Sequence, residues 1–190
     1  DRLIAEAIAA NPETTEFAVR YTLSRGGDAP RGWAFTVPIE DAIVTARAEG
    51  VSAVSVDRGY DAYVGRRAPW LLLGAKTLSY AVNQAALRYA KAQGADEALF
   101  ISRDGVVLEG PTANIVIRRG DHLLTPDPAA GLLAGTTQRL LFDHAGRLEL
   151  KADYADLSVD DVLSADGAWF VSSVRTAVTL RALDGKSLSR

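Results

Sequence analysis

Hydrophobic positions switch between two periods along the chain. Leu3, Ile4, Ala7 and Ile8 recur at helical spacing, and Asn11-Pro12 ends that run. Residues 16–23 change to period two, with Phe17, Val19, Tyr21 and Leu23 on one side, which predicts a strand. Arg25-Gly26-Gly27-Asp28-Ala29-Pro30 has the punctuation of a hairpin, and residues 33–37 return as a strand stopped by Pro38. Residues 39–49 read either way, since their alanines favour helix and their short length allows strand. A further strand is predicted over 51–56, between Gly50 and Arg58-Gly59. Together these predict a small α+β domain with an antiparallel sheet over residues 1–64. The polar passage 65–71, with Gly65, Arg66, Arg67 and Pro69, reads as a linker. Arg66 and Arg67 read first as solvated cations and second as a greeting for an anionic substrate.

A second domain is predicted over residues 72–190. Its first helix is expected over 77–93, where Leu78, Val82, Ala85, Ala86, Tyr89 and Ala90 share a face and Gly94 is the stop. Residues 97–102 predict a strand. Arg103-Asp104-Gly105 turns the chain, and Val106-Val107-Leu108 returns to deliver Glu109. Strands follow over 114–117 and 122–125, joined by Arg119-Gly120-Asp121. A proline- and glycine-rich loop over 126–133 leads to Gly135-Thr136-Thr137-Gln138, the start of a helix. Later come a strand over 148–152, a short helix over 158–163, a buried strand over 167–171 and a last strand over 178–183. Asp160 and Asp161 fit a helix first turn without a metal.

Composition narrows the options. The chain has 190 residues, 48% hydrophobic, with a formal net charge of −3. That suffices for real cores, and no basic block offers a nucleic-acid surface. The absence of cysteine excludes disulfides, thiolate catalysis and cysteine-bound zinc, and the two histidines, His122 and His144, have no metal-ligand spacing. No apolar run approaches bilayer-crossing length, and the opening residues lack a charged-then-apolar leader pattern, so the cytoplasm is the default expectation. A chain that starts at Asp1 in the middle of a helical pattern, with no methionine anywhere, reads as part of a longer protein.

Two charges stand at the ends of apolar runs. Lys76 follows Trp70 to Leu73, and Glu109 follows Val106-Val107-Leu108. A lysine at a helix start is commonly just solvated, but one ending a buried run needs a partner or loses its proton, and a neutral amine attacks carbonyls. The helix start at Gly135 offers unpaired amide donors that suit a phosphate, although threonine there also serves as a plain cap.

The ordered set of Lys76 before a helix, the Asp-Gly hairpin feeding Glu109 and Asn114, Leu124-Thr125-Pro126, Gly135-Thr136-Thr137 and Phe170-Val171-Ser172-Ser173 resembles the fold-type IV pyridoxal-phosphate (PLP) enzymes, or class IV aminotransferases. The likeness covers most of the chain. It implies an α+β protein of two domains, a small N-terminal one shortened at its start and a larger C-terminal pseudo-barrel that binds PLP. By resemblance, Lys76 forms the Schiff base with PLP and Glu109 faces the pyridine nitrogen. Thr136, Thr137, Ser173, Val174 and Arg2 would hold the phosphate, Val174 through its backbone amide alone. Tyr80 would sit by the phenolic oxygen, one position off the aminotransferase pattern, and Asn114 matches a motif position. Around Lys76 and Trp169 the likeness is greatest to aminodeoxychorismate lyase, which converts 4-amino-4-deoxychorismate to 4-aminobenzoate and pyruvate. Transamination of branched-chain or D-amino acids is the alternative with the same cofactor site. A non-catalytic binding domain is a third class, and intact Lys76 and Glu109 speak against it. The resemblance also implies a small-molecule amino substrate and a homodimer.

Overall fold

Val51 and Ala53 face one side of their strand, and Val54 and Val56 face the other, and each set enters a different core. This two-sided burial explains why the strand sits inside a large sheet. The structure is a computed structural model and describes residues 1–11 and 16–188. It divides into two units, Asp1–Val44 and Thr45–Arg190.

The first unit holds helix α1 (Arg2–Ala9) and the antiparallel strands β1 (Phe17–Ser24) and β2 (Arg31–Pro38). Leu3 lies over Gly32 on the hairpin, where an added Cβ would meet its Cδ1 at 3.3 Å. None of the described residues of this unit is buried. Of the expected helix stop, Pro12 lies outside the described residues. Helix α2 (Asp41–Glu49) resolves the ambiguous stretch as helix.

The second unit is built on a curled sheet in the order β4-β3-β9-β8-β5-β6-β7, with β10 (Lys186–Ser187) added to β9. Strand β3 (Val51–Asp57) runs parallel to both β4 (Glu97–Ile101) and β9 (Thr176–Leu183). It therefore does not join an antiparallel N-terminal sheet, as its local pattern suggested. Strands β5 (Asn114–Arg119), β6 (His122–Thr125) and β8 (Gly167–Ser172) pair antiparallel, and β7 (Lys151–Tyr154) lies parallel to β6. Leu99, Ile115, Ile117, Phe170, Val178 and Leu180 fill one face of this sheet. On the other face, helix α3 (Ala81–Ala92) packs on Ala98 and Phe100, and α4 (Thr136–His144) lies by β8. Helix α5 (Val159–Leu163) starts with a capping box between Ser158 and Asp161.

Residues 65–71, expected as a linker, lie within the second unit and include two 3-10 turns, Val64–Arg66 and Pro69–Leu71. Helix α3 begins at Ala81, later than its periodicity suggests. Thr77 Oγ1 accepts from Ser79 N at 3.3 Å, a local bond that competes with helix. The strand expected over 148–152 begins only at Lys151, because residues 145–148 form a 3-10 turn and Glu149 follows at φ 56°. No helix among the described residues is long and apolar enough to cross a membrane.

Candidate active site

Glu109 arrives by a hairpin that is not a regular ladder. Ile101 bridges Val107, but Phe100 bonds two successive residues, its carbonyl accepting from Leu108 N at 2.8 Å and its N–H donating to Glu109 O at 2.9 Å. Two residues opposing one is a β-bulge, and it re-aims the side chain that follows. The Glu109 carboxylate then meets Leu133, whose N–H donates to Oε2 at 3.2 Å, and Asn114, whose Nδ2 donates to the same oxygen at 3.2 Å. Asn114 opens β5, is 8% exposed, and also donates to the Leu133 carbonyl at 2.8 Å. It therefore locks the carboxylate and the loop to each other. Burial pushes the Glu109 carboxyl up to about 7, against the opposing pull of the Leu133 N–H, Arg58 and Lys76.

The loop over 126–135 also supports the lysine. Gly74 has φ 79°, and a Cβ there would stand 2.6 Å from the Leu132 carbonyl. A Cβ added at Gly131 would meet the Leu73 side chain, 3.2 Å from its Cδ1 and 3.3 Å from its Cβ. The segment carrying Lys76 thus rests on the segment that caps Glu109, and the lysine charge reaches the carboxylate. The structure brings Lys76 and Glu109 to one side of the fold. It differs from expectation in one respect: the run before Lys76 is not buried. Trp70 is 74% and Leu72 63% exposed, and Lys76 itself is exposed, because the 3-10 turn Pro69–Leu71 carries this run over the surface.

Gly135 is the N-cap of α4, with Thr136 and Thr137 in its first turn and no side-chain cap. The leading amides of such a helix have no partner within it. A Cβ at Gly135 would fall 1.9 Å from Asn114 Oδ1, so the helix start abuts the Glu109 array. Gln138 is buried, and its Nε2 has no partner among the described residues. The β8–β9 turn holds Ser173 and Val174, whose amides are unbonded among the described residues. The register Asn114↔Val171 sets this turn beside the start of β5. Arg47 donates to the Val174 carbonyl, and buried Glu97 pairs with Arg175. Tyr80 precedes α3, is 36% exposed, and its hydroxyl has no bond among the described residues. Arg2 lies on α1 in the first unit, where its Nε pairs with Glu6 at 3.3 Å.

Sequence reasoning missed Arg58 and Leu133. Leu133 acts through its backbone, which no residue type reveals. Arg58 follows β3 and gains its place only from the pairing of β3 with β4. Among the described residues no cluster of three or more histidines and carboxylates can hold a metal ion. His122 pairs with Asp121 and Asp153, and His144 Nδ1 lies 3.0 Å from the Leu140 carbonyl.

Comparison with known proteins agrees with this geometry. A bifunctional aminodeoxychorismate lyase / D-amino acid transaminase of Mycobacterium tuberculosis is 44% identical over 185 residues, which is 92% of this chain and 64% of that protein. A solved M. tuberculosis structure, described as a hypothetical aminotransferase with α-ketoglutarate and PMP bound, superposes with a TM-score of 0.86 at 45% identity, covering 92% of this chain and 62% of that one. A fold IV transaminase of Curtobacterium pusillum gives 0.87 at 39% identity, over 98% and 63%. The chain thus spans less than two thirds of each of these relatives. The family model for amino-transferase class IV matches residues 1–183, and the chain belongs to that family.

Proposed function

We propose that this chain supplies the cofactor-holding part of an aminodeoxychorismate lyase, which converts 4-amino-4-deoxychorismate to 4-aminobenzoate and pyruvate in folate-precursor synthesis, with PLP as the cofactor. The observation that carries the PLP part of this reading is the half-buried Glu109 carboxylate, fixed by Leu133 and Asn114 within reach of the Lys76 charge; the choice of lyase over transaminase rests on the likeness around Lys76 and Trp169. The donor set suits PLP. Glu109 would hold the ring nitrogen, Lys76 would take the aldehyde, and unbonded amides at Thr136, Thr137, Ser173 and Val174 would suit the phosphate. When bound, PLP supplies a carbonyl for amines and a ring that accepts electron density.

The chain's own residues do the rest. Lys76 holds the cofactor through its amine and, once displaced by the substrate amine, moves a proton as base and then acid. Glu109 keeps a proton on the ring nitrogen. Asn114 orients Glu109 through its side-chain amide. Tyr80 would serve the phenolic oxygen of bound PLP. The lyase takes a proton from the substrate ring and expels pyruvate.

Borohydride treatment of the coloured full-length protein should bleach it and fix the label on Lys76. The untreated full-length protein should release pyruvate from aminodeoxychorismate without any keto acid. Strict dependence on a keto acid refutes the lyase reading. Transamination of a D-amino or branched-chain amino acid is the second reading, favoured by the mycobacterial relative whose name carries both activities. We infer a homodimer as well, because Trp70, Leu72 and Leu78, which flank Lys76 in the chain, are all largely exposed, Leu78 to 99%. The cytoplasm is the expected setting.

A further inference from the structure

Arg58 is half-buried and, among the described residues, has no carboxylate within ion-pairing distance. Taking a guanidinium out of water without a counter-charge is costly, so its placement calls for a reason. Its N–H donates to the Ile101 carbonyl at 2.8 Å, which extends the β3–β4 pairing by one residue. Val56 is opposite Phe100, and Arg58, two residues on, returns to the same face. There its Cζ stands 4.5 Å from the centroid of the Phe100 ring and 5.8 Å from that of Tyr60. Across β4, the bulge places Leu108 and Glu109 opposite the same Phe100. Phe100 thus carries the Arg58 guanidinium on its ring and bonds Glu109 through its backbone.

We propose that Arg58, seated on Phe100, is a positioning residue that favours the charged form of Glu109 while Lys76 is uncharged. This rests on the reading of Glu109 as the partner of a protonated ring nitrogen. The charged groups facing Glu109 are Arg58 and Lys76, and the polar ones are the Leu133 N–H, the Asn114 amide and the Tyr60 phenol. Both cations oppose the effect of burial on the carboxyl, and Arg58 does so more strongly than Lys76. Burial pushes the Tyr60 phenol up, Arg58 pulls it down and Glu109 pushes it up, so that ring senses both partners. The two cations differ in one chemical respect. Lys76 must give up its proton to act as a nucleophile, whereas a guanidinium never does so at working pH. Arg58 is thus the one cation near Glu109 whose charge is constant through the reaction.

The test follows the Glu109 carboxyl by carbon NMR in the full-length protein, stripped of cofactor, with labelled glutamate and Glu109→Gln to assign the signal. Arg58→Gln should move the Glu109 midpoint up by about half a pH unit or more. Arg58→Met, which keeps an apolar stem on Phe100, should do the same, and Arg58→Lys should restore most of the parent value. A midpoint that stays in place in Arg58→Gln and Arg58→Met, or that moves as far in Arg58→Lys, overturns the proposal. The PLP reading fails separately, if the parent protein stays colourless when PLP is added.

Discussion

Replacing Glu109 by glutamine keeps the shape of the side chain and deletes its ionisation. In the folded chain burial raises this carboxyl from 4.5 to about 7, so the folded state binds a proton more tightly than the unfolded state does. The linkage sign follows. Stability from this group is fully present below pH 4.5 and is lost as pH rises through 7. At about 1.4 kcal/mol per pH unit the whole effect is about 3 kcal/mol, and partial solvent access at a half-buried site reduces it to about 1 to 3 kcal/mol. Glu109→Gln should therefore match the parent near pH 4 and be more stable by that amount at pH 8, in the absence of cofactor. The gain at high pH would be the cost the parent bears for a charged group held ready for a ligand. Hydrogen exchange at the Phe100 amide, which donates to the Glu109 carbonyl, and at buried Ile115 reads this directly. Comparing parent and variant at each pH cancels every other titrating group. If the two proteins differ by the same amount at pH 5 and pH 8, burial is not what perturbs Glu109 and the reasoning fails.

Gly135→Ala should force Asn114 away from its present position, since the new Cβ would fall 1.9 Å from its Oδ1. Calorimetry should show a loss of PLP affinity together with a drop in melting temperature. Glu97→Gln leaves Arg175 without its buried counter-charge, Glu97 being 1% exposed, and should cost about 3 to 5 kcal/mol in urea unfolding. Leu78→Asp puts a charge on a side chain that is 99% exposed. It should leave the fold intact by circular dichroism and shift sedimentation of the full-length protein from dimer to monomer.

Much of the site was legible because its members are polar residues in apolar company. Glu109 ends a strand-like run, Asn114 begins one, and Gly135 precedes two threonines, so each stands out in a linear reading. The same logic misled at Lys76. Trp70 to Leu73 has the composition of a buried segment, yet the 3-10 turn leaves Trp70 and Leu72 largely exposed in the single chain. Composition reports what a segment is able to bury and not which surface meets it. Strand β3 shows a related limit. Alternation at 51–56 identifies a strand but not its partners, and its partners β4 and β9 lie dozens of residues away. Arg58 was invisible for that reason, since its approach to Glu109 depends on this parallel pairing and on a bulge that no residue type announces.

The loop over 126–135 connects these findings. Its composition marked it only as a break between a strand and a helix. In the structure it touches both the segment that carries Lys76 and the Glu109 carboxylate. Leu132 receives the tight approach of Gly74, Gly131 packs on Leu73, Leu133 holds Glu109 by its backbone, and Gly135 abuts Asn114. Its start is tied down by Asp127, which accepts from Ala129 N at 2.8 Å, and the Ala130 carbonyl accepts from Tyr63 N at 3.2 Å. A lysine and a carboxylate 33 positions apart in sequence thus gain a shared geometry through a third segment that meets them with backbone and apolar atoms. The two glycines in the loop sit where backbone and side chain come closest, so the loop can be this thin only where side chains are absent. A displacement of the loop should therefore reach the amine and the carboxylate together, and no substitution confined to it should disturb one while leaving the other in register.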